Sequence, residues 1–390
     1  MKKKIAILGS TGSIGSSLLN IIKRDRTNFE IILLSANKSY KKLLSQAKLF
    51  NVKNLLISDK NIYSKISKIK KYEKINFFNS YEDFKNIFKA KKIDYLMCAI
   101  TGIEGLEPTL KSIKHTRKIA IANKEAIICG WNLINKNLKK YNVEFIPVDS
   151  EHFSIWYGCK EDSIKNISKV YLTASGGPFL NKKIKKLNTV NISTAIKHPN
   201  WKMGKKISID SATMMNKVFE IIEARNIFSL PLKKLSILIH PKSYIHSIIK
   251  YNSGLIKLIA HDTTMEIPIF NSLYQNNGKS FKSNKIDLKL LNNLKLEKID
   301  KKRFSVVRIL DKFKNKNSLF ETVLVTANDT YVDLFLKKRI KFNDISKLLL
   351  KFLEIKEFKK YKKIYPKKVN DIIKLNNYVR LKILSNVYKY

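Results

Sequence analysis

A chain of 390 residues, 44% hydrophobic and 28% charged, can bury two or three cores and is too apolar to be disordered. No apolar run approaches the ~18 residues that a membrane span needs, which sets membrane-embedded classes aside. The net charge of +46 suggests nucleic acid or an acidic surface, but the lysines are dispersed and only 8 of the 77 basic residues are arginine.

Asn, Ile, Tyr and Phe are also abundant and share A/T-rich codons with Lys, so base-composition bias accounts for the charge without nucleic acid or a membrane. Such a surface still favours phosphorylated small molecules. The opening MKKKIAILGS has too short an apolar run, Ile5 to Leu8, for a signal peptide, and a cytoplasmic protein is expected. That run reads as a strand entering GSTGSIG and then a helix, SSLLNIIKR. Gly9, Gly12 and Gly15 have the spacing of a strand–turn–helix cradle for a pyrophosphate.

The second strand is expected at 30–35, followed by Asn37 and Lys38. An acidic residue there would meet a free ribose 2′-hydroxyl, whereas Asn and Lys suit a 2′-phosphate, favouring NADPH over NADH. Strands at 54–58, 92–100 (ending in AITG) and 118–122 (ending in ANKE) alternate with helices, as in a doubly wound parallel sheet. Thr101, Gly102, Asn123, Lys124 and Glu125 then fall at the carboxyl ends of strands, where such sheets bind ligands. Asn123 to Glu125 also read as a plain helix start.

A strand at 143–148 runs into Asp149-Ser150-Glu151-His152. If that segment is extended, Asp149 and Glu151 project to one side and need a cation or proton between them. Capping of a helix by Asp149 is the competing reading. The strand at 169–173 ends in ASGGPF, where Ser175 and the glycines offer donors to an anion.

Next comes HPNWKMGKKISIDSATMMNKVFEIIEA at 198–224. Asp210 and Ser211 are good N-cap residues for a helix with Met215, Phe219 and Ile222 on its apolar face. Thr213, Asn216, Lys217 and Glu220 share another stripe, either a solvated face or a site presenting amide, ammonium and carboxylate together. Glu223 reads as structural. A strand at 236–240 and a β-rich continuation follow, with His240, His246 and His261 structural. Residues 276–300 read as a polar connection, and from 304 onward the chain is helical and Lys-rich. Cys98, Cys129 and Cys159 read as buried, reduced thiols, and the six histidines show no zinc spacing.

The motifs GSTGSIG (9–15), ANKE (122–125), PVDSEH (147–152), ASGGPF (174–179), the 198–224 segment and HPKSYIHS (240–247) together resemble the 1-deoxy-D-xylulose 5-phosphate reductoisomerase family. The resemblance covers roughly residues 1–260 and continues more weakly, with LVTANDTYVDLFL at 324–336 similar to the family's LNAANEVAVEAFL. It implies an α/β chain. The expected parts are an N-terminal Rossmann-like domain for NADPH (1–149) and a central α+β catalytic domain (150–274) with a flexible flap at about 197–206. A linker (275–302) and a small all-α domain (303–390) would follow. It also implies a homodimer and a phosphorylated sugar substrate.

By that resemblance Asp149, Glu151 and Glu220 hold one Mg²⁺ or Mn²⁺ and form the catalytic group with Lys124 and His198. Lys124, Ser150, Glu151 and Glu220 contact substrate, while Ser175, Ser211, Asn216 and Lys217 bind its phosphate and nearby hydroxyls. His198 and Trp201, with Met203, belong to the flap. Thr11, Gly12, Ser13, Ile14, Asn37, Lys38, Asn123, Glu125 and Gly204 line the NADPH site. A plain NADPH dehydrogenase would explain the glycine turn but leave the three carboxylates without work. The chain departs from the family at Asn37 (usually Gly), at Glu266 (usually Arg) and at Lys314 to Ser318, which replace a Gly-Gly-x-x-Pro turn.

Overall fold

Ile5, Ala6, Ile7 and Leu8 are wholly buried, and they make β1 (Lys3–Leu8) the centre of a seven-stranded sheet. The computed structural model describes residues 1–88, 92–201, 203–275 and 278–387. Lys202 of the expected flap, residues 276 and 277 of the expected connection and the last three residues of the expected helical domain lie outside the described residues.

The chain divides into two compact units, the first made of Met1–Ala126, Asn132–Asp149 and Met265–Phe281. Its other strands are β2 (Phe29–Ala36), β3 (Asn54–Ile57), β4 (Asn76–Phe78), β5 (Ile93–Cys98), β6 (Thr116–Ile121) and β7 (Glu144–Pro147). All pair in parallel in the order β4-β3-β2-β1-β5-β6-β7. Their near-continuous apolar runs are what a parallel sheet covered on both faces requires. Strand order reverses between β1 and β5, so the crevice beyond their carboxyl ends is the ligand position of this architecture. Helices α1 (Ser13–Lys23) and α2 (Lys124–Tyr141) begin at that edge.

The helix Glu266–Tyr274 belongs to this first unit, although the sequence reading put it at the end of the catalytic domain. The reason is its apolar face. Ile269, Leu273 and Tyr274 join the core, Tyr274 packs edge-on against Phe29 at 5.6 Å, and Tyr95 and Ser272 share a 2.8 Å hydrogen bond. Glu266 sits in the helix's first turn, where the dipole favours a carboxylate, 3.6 Å from Arg24.

The second unit holds Ile127–Trp131, Ser150–Thr264 and the chain from Lys282. Its sheet contains β8 (Ile167–Ala174), β9 (Leu235–Ile239), β10 (Ile245–Tyr251), β11 (Ile256–Ala260) and β12 (Glu297–Lys298), ordered β11-β10-β8-β9-β12. Only β8 and β9 pair in parallel. Helix α3 (Ser150–Gly158) precedes the sheet, and the crossover from β8 to β9 carries α4 (Lys205–Ala212) and α5 (Met215–Phe228). The C-terminal helices are α6 (Phe320–Leu336), α7 (Phe342–Phe352) and α8 (Val369–Val387). Among the described residues no helix is long and apolar enough to cross a membrane.

Three expectations are corrected here. The helix expected to start at Ser211 is two helices, broken where Met214 takes φ 68°. Thr213 supports the break by bonding back to the carbonyls of Ile209 (3.1 Å) and Asp210 (3.2 Å). Asp210 is therefore no N-cap; it lies buried in the last turn of α4. Glu151 is not extended but sits in the first turn of α3, immediately after Asp149. Finally, the stretch read as a polar connection supplies β12, which pairs with Ile239 and Leu238.

Candidate active site

In the first unit the turn after β1 needs its glycines for different reasons. Gly9 has φ +82°, and a Cβ there would lie 2.6 Å from the Ala99 carbonyl oxygen at the end of β5. A Cβ on Gly15 would lie 2.5 Å from the Cα of Ser10, because α1 presses directly on the strand end. Gly12 is the N-cap of α1 and brings no side-chain cap, which leaves the helix N-terminus open to an anion. Thr11, Ser13 and Ile14 border that opening. Lys42, which the sequence reading missed, donates to the Thr11 carbonyl at 2.9 Å and adds an ammonium near exposed Lys38. Asn37 donates to Ser58 Oγ at 2.9 Å, closing the ends of β2 and β3 together.

Asn123 is committed to structure. Its Oδ1 caps α2 by accepting from Ala126 N–H at 2.8 Å, and its Nδ2 donates to the carbonyls of Ile100 and, at 2.7 Å, Gly102. It thus holds the AITG turn against the start of the next helix, as the plain helix-start reading allows. Lys124 points its ammonium at Asp149, 3.0 Å away, with both side chains mostly buried. Glu125 is buried beside it in the sequence.

In the second unit the stripe on α5 is no solvated face. All residues of that helix except Asn216 and Ile227 are buried, and Lys217 and Glu220 are 4% and 1% exposed. Lys217 Nζ lies 2.7 Å from Glu151 Oε1 and 2.5 Å from Glu220 Oε2. Burial alone would disfavour the ammonium, but the two carboxylates push Lys217 up to about 12. Ser150 Oγ donates to Glu151 Oε2 at 2.5 Å, and Asn216 Nδ2 donates to Glu220 Oε1. Two carboxylates facing one ammonium leave a net negative charge, and their hard oxygens suit a divalent cation such as Mg²⁺ or Mn²⁺. Lys217 already stands where a cation is accepted between them.

His152 and Glu223, which the sequence reading treated as structural or left aside, support this cluster. His152 is fully buried, with Nε2 2.9 Å from the Glu220 carbonyl oxygen and Nδ1 3.5 Å from Glu223 Oε2. The sequence signal was there: Glu223 is three residues after Glu220 on one helix face, and His152 follows Glu151.

A second cluster forms at the carboxyl ends of β8 and β9. Gly177 has φ +68°, and its Cβ would fall 2.9 Å from Ala212 Cα and 3.1 Å from the Ser211 carbonyl. Only glycine lets this turn lie on the end of α4, against the Ser211 carbonyl. Ser175 Oγ accepts from Gly177 N–H at 3.1 Å and meets His198 Nε2 at 2.9 Å. His198 Nδ1 accepts from the N–H groups of Asn200 (3.2 Å) and Trp201 (3.0 Å). The proton of a neutral ring is therefore on Nε2 and is donated to Ser175. Both acceptor positions of that hydroxyl are used, so its own proton is aimed outward as a donor. Burial first, and the Lys217 charge second, hold His198 down to about 4, keeping it neutral.

The flap segment is tied down further. Asn200 Nδ2 donates to the Pro241 carbonyl (2.6 Å) and to Ser243 Oγ (2.9 Å). The Trp201 ring meets His246 edge-on at 6.0 Å, and His246 stacks on His261 at 3.7 Å. Pro241, Ser243 and His246 of HPKSYIHS make these contacts, in keeping with the expectation that His246 and His261 are structural. Gly204, expected near the cofactor, is the N-cap of α4 in the second unit.

Comparisons with known proteins agree along the whole chain. Models of three domains match: 1-deoxy-D-xylulose 5-phosphate reductoisomerase over residues 5–130, and its C-terminal domains over residues 145–228 and 262–382. The chain is 59% identical to the 1-deoxy-D-xylulose 5-phosphate reductoisomerase of Pelagibacter ubique over 384 residues, 98% of this chain and 99% of that protein. It is 37% identical to the enzyme of that name from Wolbachia pipientis, covering 98% and 97% of the two chains. The Zymomonas mobilis enzyme in complex with NADPH superposes with a TM-score of 0.86 at 30% identity, covering 99% of both chains. A DOX-P reductoisomerase in complex with NADPH, fosmidomycin and magnesium gives a TM-score of 0.88 at 30% identity, covering 99% of this chain and 98% of that one.

Proposed function

The chain belongs to the 1-deoxy-D-xylulose 5-phosphate reductoisomerase family, and from that premise we propose how its residues divide the reaction. The enzyme rearranges 1-deoxy-D-xylulose 5-phosphate and reduces the product to 2-C-methyl-D-erythritol 4-phosphate, using NADPH and a divalent metal. The observation that carries the assignment of residues is the pairing of half-buried Glu151 and buried Glu220 across buried Lys217, beside a Ser175 hydroxyl oriented by His198.

Asp149, Glu151 and Glu220 hold the metal, Mg²⁺ or Mn²⁺. When bound, it polarises the substrate's carbonyl and neighbouring hydroxyl, and NADPH supplies the hydride. The chain's own groups do the rest. Glu220 is paired with the Lys217 ammonium and kept in place by its helix, whose turn is pinned through His152. Ser175, Ser211, Asn216 and Lys217 present hydroxyl, amide and ammonium donors to the phosphate and nearby hydroxyls. Lys124 and Ser150 contact the substrate, as do Glu151 and Glu220. His198 and Trp201 close the flap and exclude water. Thr11, Gly12, Ser13, Ile14, Asn37, Lys38, Asn123, Glu125 and Gly204 line the NADPH site. Asn123 does so by shaping its turn, and Lys38, helped by Lys42, faces the 2′-phosphate.

The same reading assigns 1–149 to cofactor binding, 150–274 to catalysis apart from the Glu266–Tyr274 helix packed in the first unit, 275–302 to a linker that carries β12, and 303–390 to a helical domain. It also assigns a cytoplasmic setting, which fits three buried cysteine thiols. We read the chain as a homodimer joined through β11. That edge strand exposes Ile256 (54%) and Leu258 (48%), with Leu255 (71%) just before it, an apolar sheet edge that a lone protomer would otherwise leave open. Light scattering on Leu258→Lys should give a monomer where the wild type gives a dimer; a wild-type monomer would refute the pairing.

The function is tested by following NADPH oxidation with 1-deoxy-D-xylulose 5-phosphate and Mn²⁺. Turnover should vanish on chelation and return with Mg²⁺ or Mn²⁺. Undiminished turnover in excess chelator would favour a plain dehydrogenase instead.

A further inference from the structure

We infer that Asn328 and Asp329, on the C-terminal helix α6, are positioning residues for the substrate-phosphate cradle, acting through Lys206 and Asp210 of α4. This rests on the assignment of Ser211 and the flap to substrate binding given above.

Helix α4 begins in an unfavourable way. Lys205 and Lys206 occupy its first turn, where the helix dipole repels cations, and Gly204 provides no side-chain cap. The compensation comes from outside the helix. Lys206 Nζ lies 2.9 Å from Asp329 Oδ1 and 3.4 Å from Asp210 Oδ2, and it sits over the Phe219 ring at 5.5 Å. Asn328 Nδ2 donates to Asp210 Oδ1 at 2.7 Å, with Asn328 fully buried and Asp210 2% exposed. One buried amide and one carboxylate of α6 thus grip both ends of the short α4.

Those two ends are functional boundaries. The first turn of α4 receives the flap at Gly204, and the last turn delivers Ser211 to the Gly177 turn. The break at Met214 separates α4 from α5, so the rigid α5 cannot by itself fix where Ser211 points. Asn328 and Asp329 supply that constraint. Their bonds described above run to α4, which carries Ser211, so their loss should weaken phosphate binding while sparing the cofactor and the chemical step.

The test is steady-state kinetics of the full-length enzyme with Mn²⁺, separating KM from kcat, with thermal unfolding as a check on folding. Asn328→Ala removes a buried charge-assisted hydrogen bond and should raise KM for 1-deoxy-D-xylulose 5-phosphate about ten-fold, with KM for NADPH unchanged and kcat within about two-fold. Asn328→Asp should be worse, because it faces two carboxylates together. The exchange Asn328→Asp with Asp210→Asn restores a donor–acceptor pair in reverse and should recover most of the loss. Asp329→Asn, at a partly exposed site, should fold normally and raise the same KM about three-fold, an ion pair's worth. The inference is overturned if these variants fold and keep wild-type KM, or if substrate and NADPH constants rise together. An inactive wild type would sink the functional reading itself, a separate outcome.

Discussion

His198 shows how one side chain's protonation state sets a neighbour's role. Two backbone N–H groups of its own turn bind Nδ1, so the ring must donate from Nε2, and Ser175 must turn its hydroxyl proton outward. His198→Asn keeps an acceptor near the Nδ1 position and removes the donor to Ser175. It should leave NADPH affinity unchanged and raise KM for 1-deoxy-D-xylulose 5-phosphate about ten-fold, near 1.4 kcal/mol, in an initial-rate assay. The same residue predicts a pH effect. Burial holds His198 and His115 down to about 4, against 6.5 for an unperturbed imidazole. The unfolded chain therefore binds more protons between those values, so stability is fully present above pH 6.5 and is lost as pH falls toward 4. Melting temperature should drop between pH 7 and pH 5, less steeply in His198→Asn; a flat profile would contradict the neutral-ring assignment. The sequence named His198 through its motif but not its tautomer, which depends on the fold of the turn that follows it.

At the scale of elements, the sheets were legible because apolar strands recur with glycine turns at their ends. The break between α4 and α5 was not. Asp210 to Met215 read as continuous helix, and the break comes from Thr213 bonding back to its own turn while Met214 goes left-handed. The family's lost Gly-Gly-x-x-Pro turn is likewise compensated in a way sequence could not show. Ser318 and Arg225 both bind Glu321, Lys314 accepts from Arg225, and Asn315 accepts from Leu232 N–H. Turn geometry also decides Ser211's position. Gly177→Ala puts a Cβ 2.9 Å from Ala212 Cα at a left-handed φ, which should cost about 2 kcal/mol in urea unfolding and raise substrate KM. Unchanged stability and KM would show that the turn has room to shift.

At the scale of the whole molecule, the +46 charge and the site pull in opposite directions. The surface is basic because lysine is everywhere, yet the proposed metal site needs acids, and the fold sets half-buried Glu151 and buried Glu220 around a single lysine. Composition hid this, since a stripe of Asn, Lys and Glu on one helix is usually wet. The carboxylates became readable only when the strand-end Asp149-Ser150-Glu151 and the later helix were taken together. Extra carboxylates also separate the two enzyme readings, since a dehydrogenase alone has no use for them. The most direct measurement is ¹³C NMR of the product formed from 1-deoxy-D-xylulose 5-phosphate, NADPH and Mn²⁺. The expected result is the branched 2-C-methyl-D-erythritol 4-phosphate, one per NADPH oxidised, and none with Glu220→Gln, which should still bind NADPH. A straight-chain alcohol as the product, or a normal rate from Glu220→Gln, would contradict the assignment.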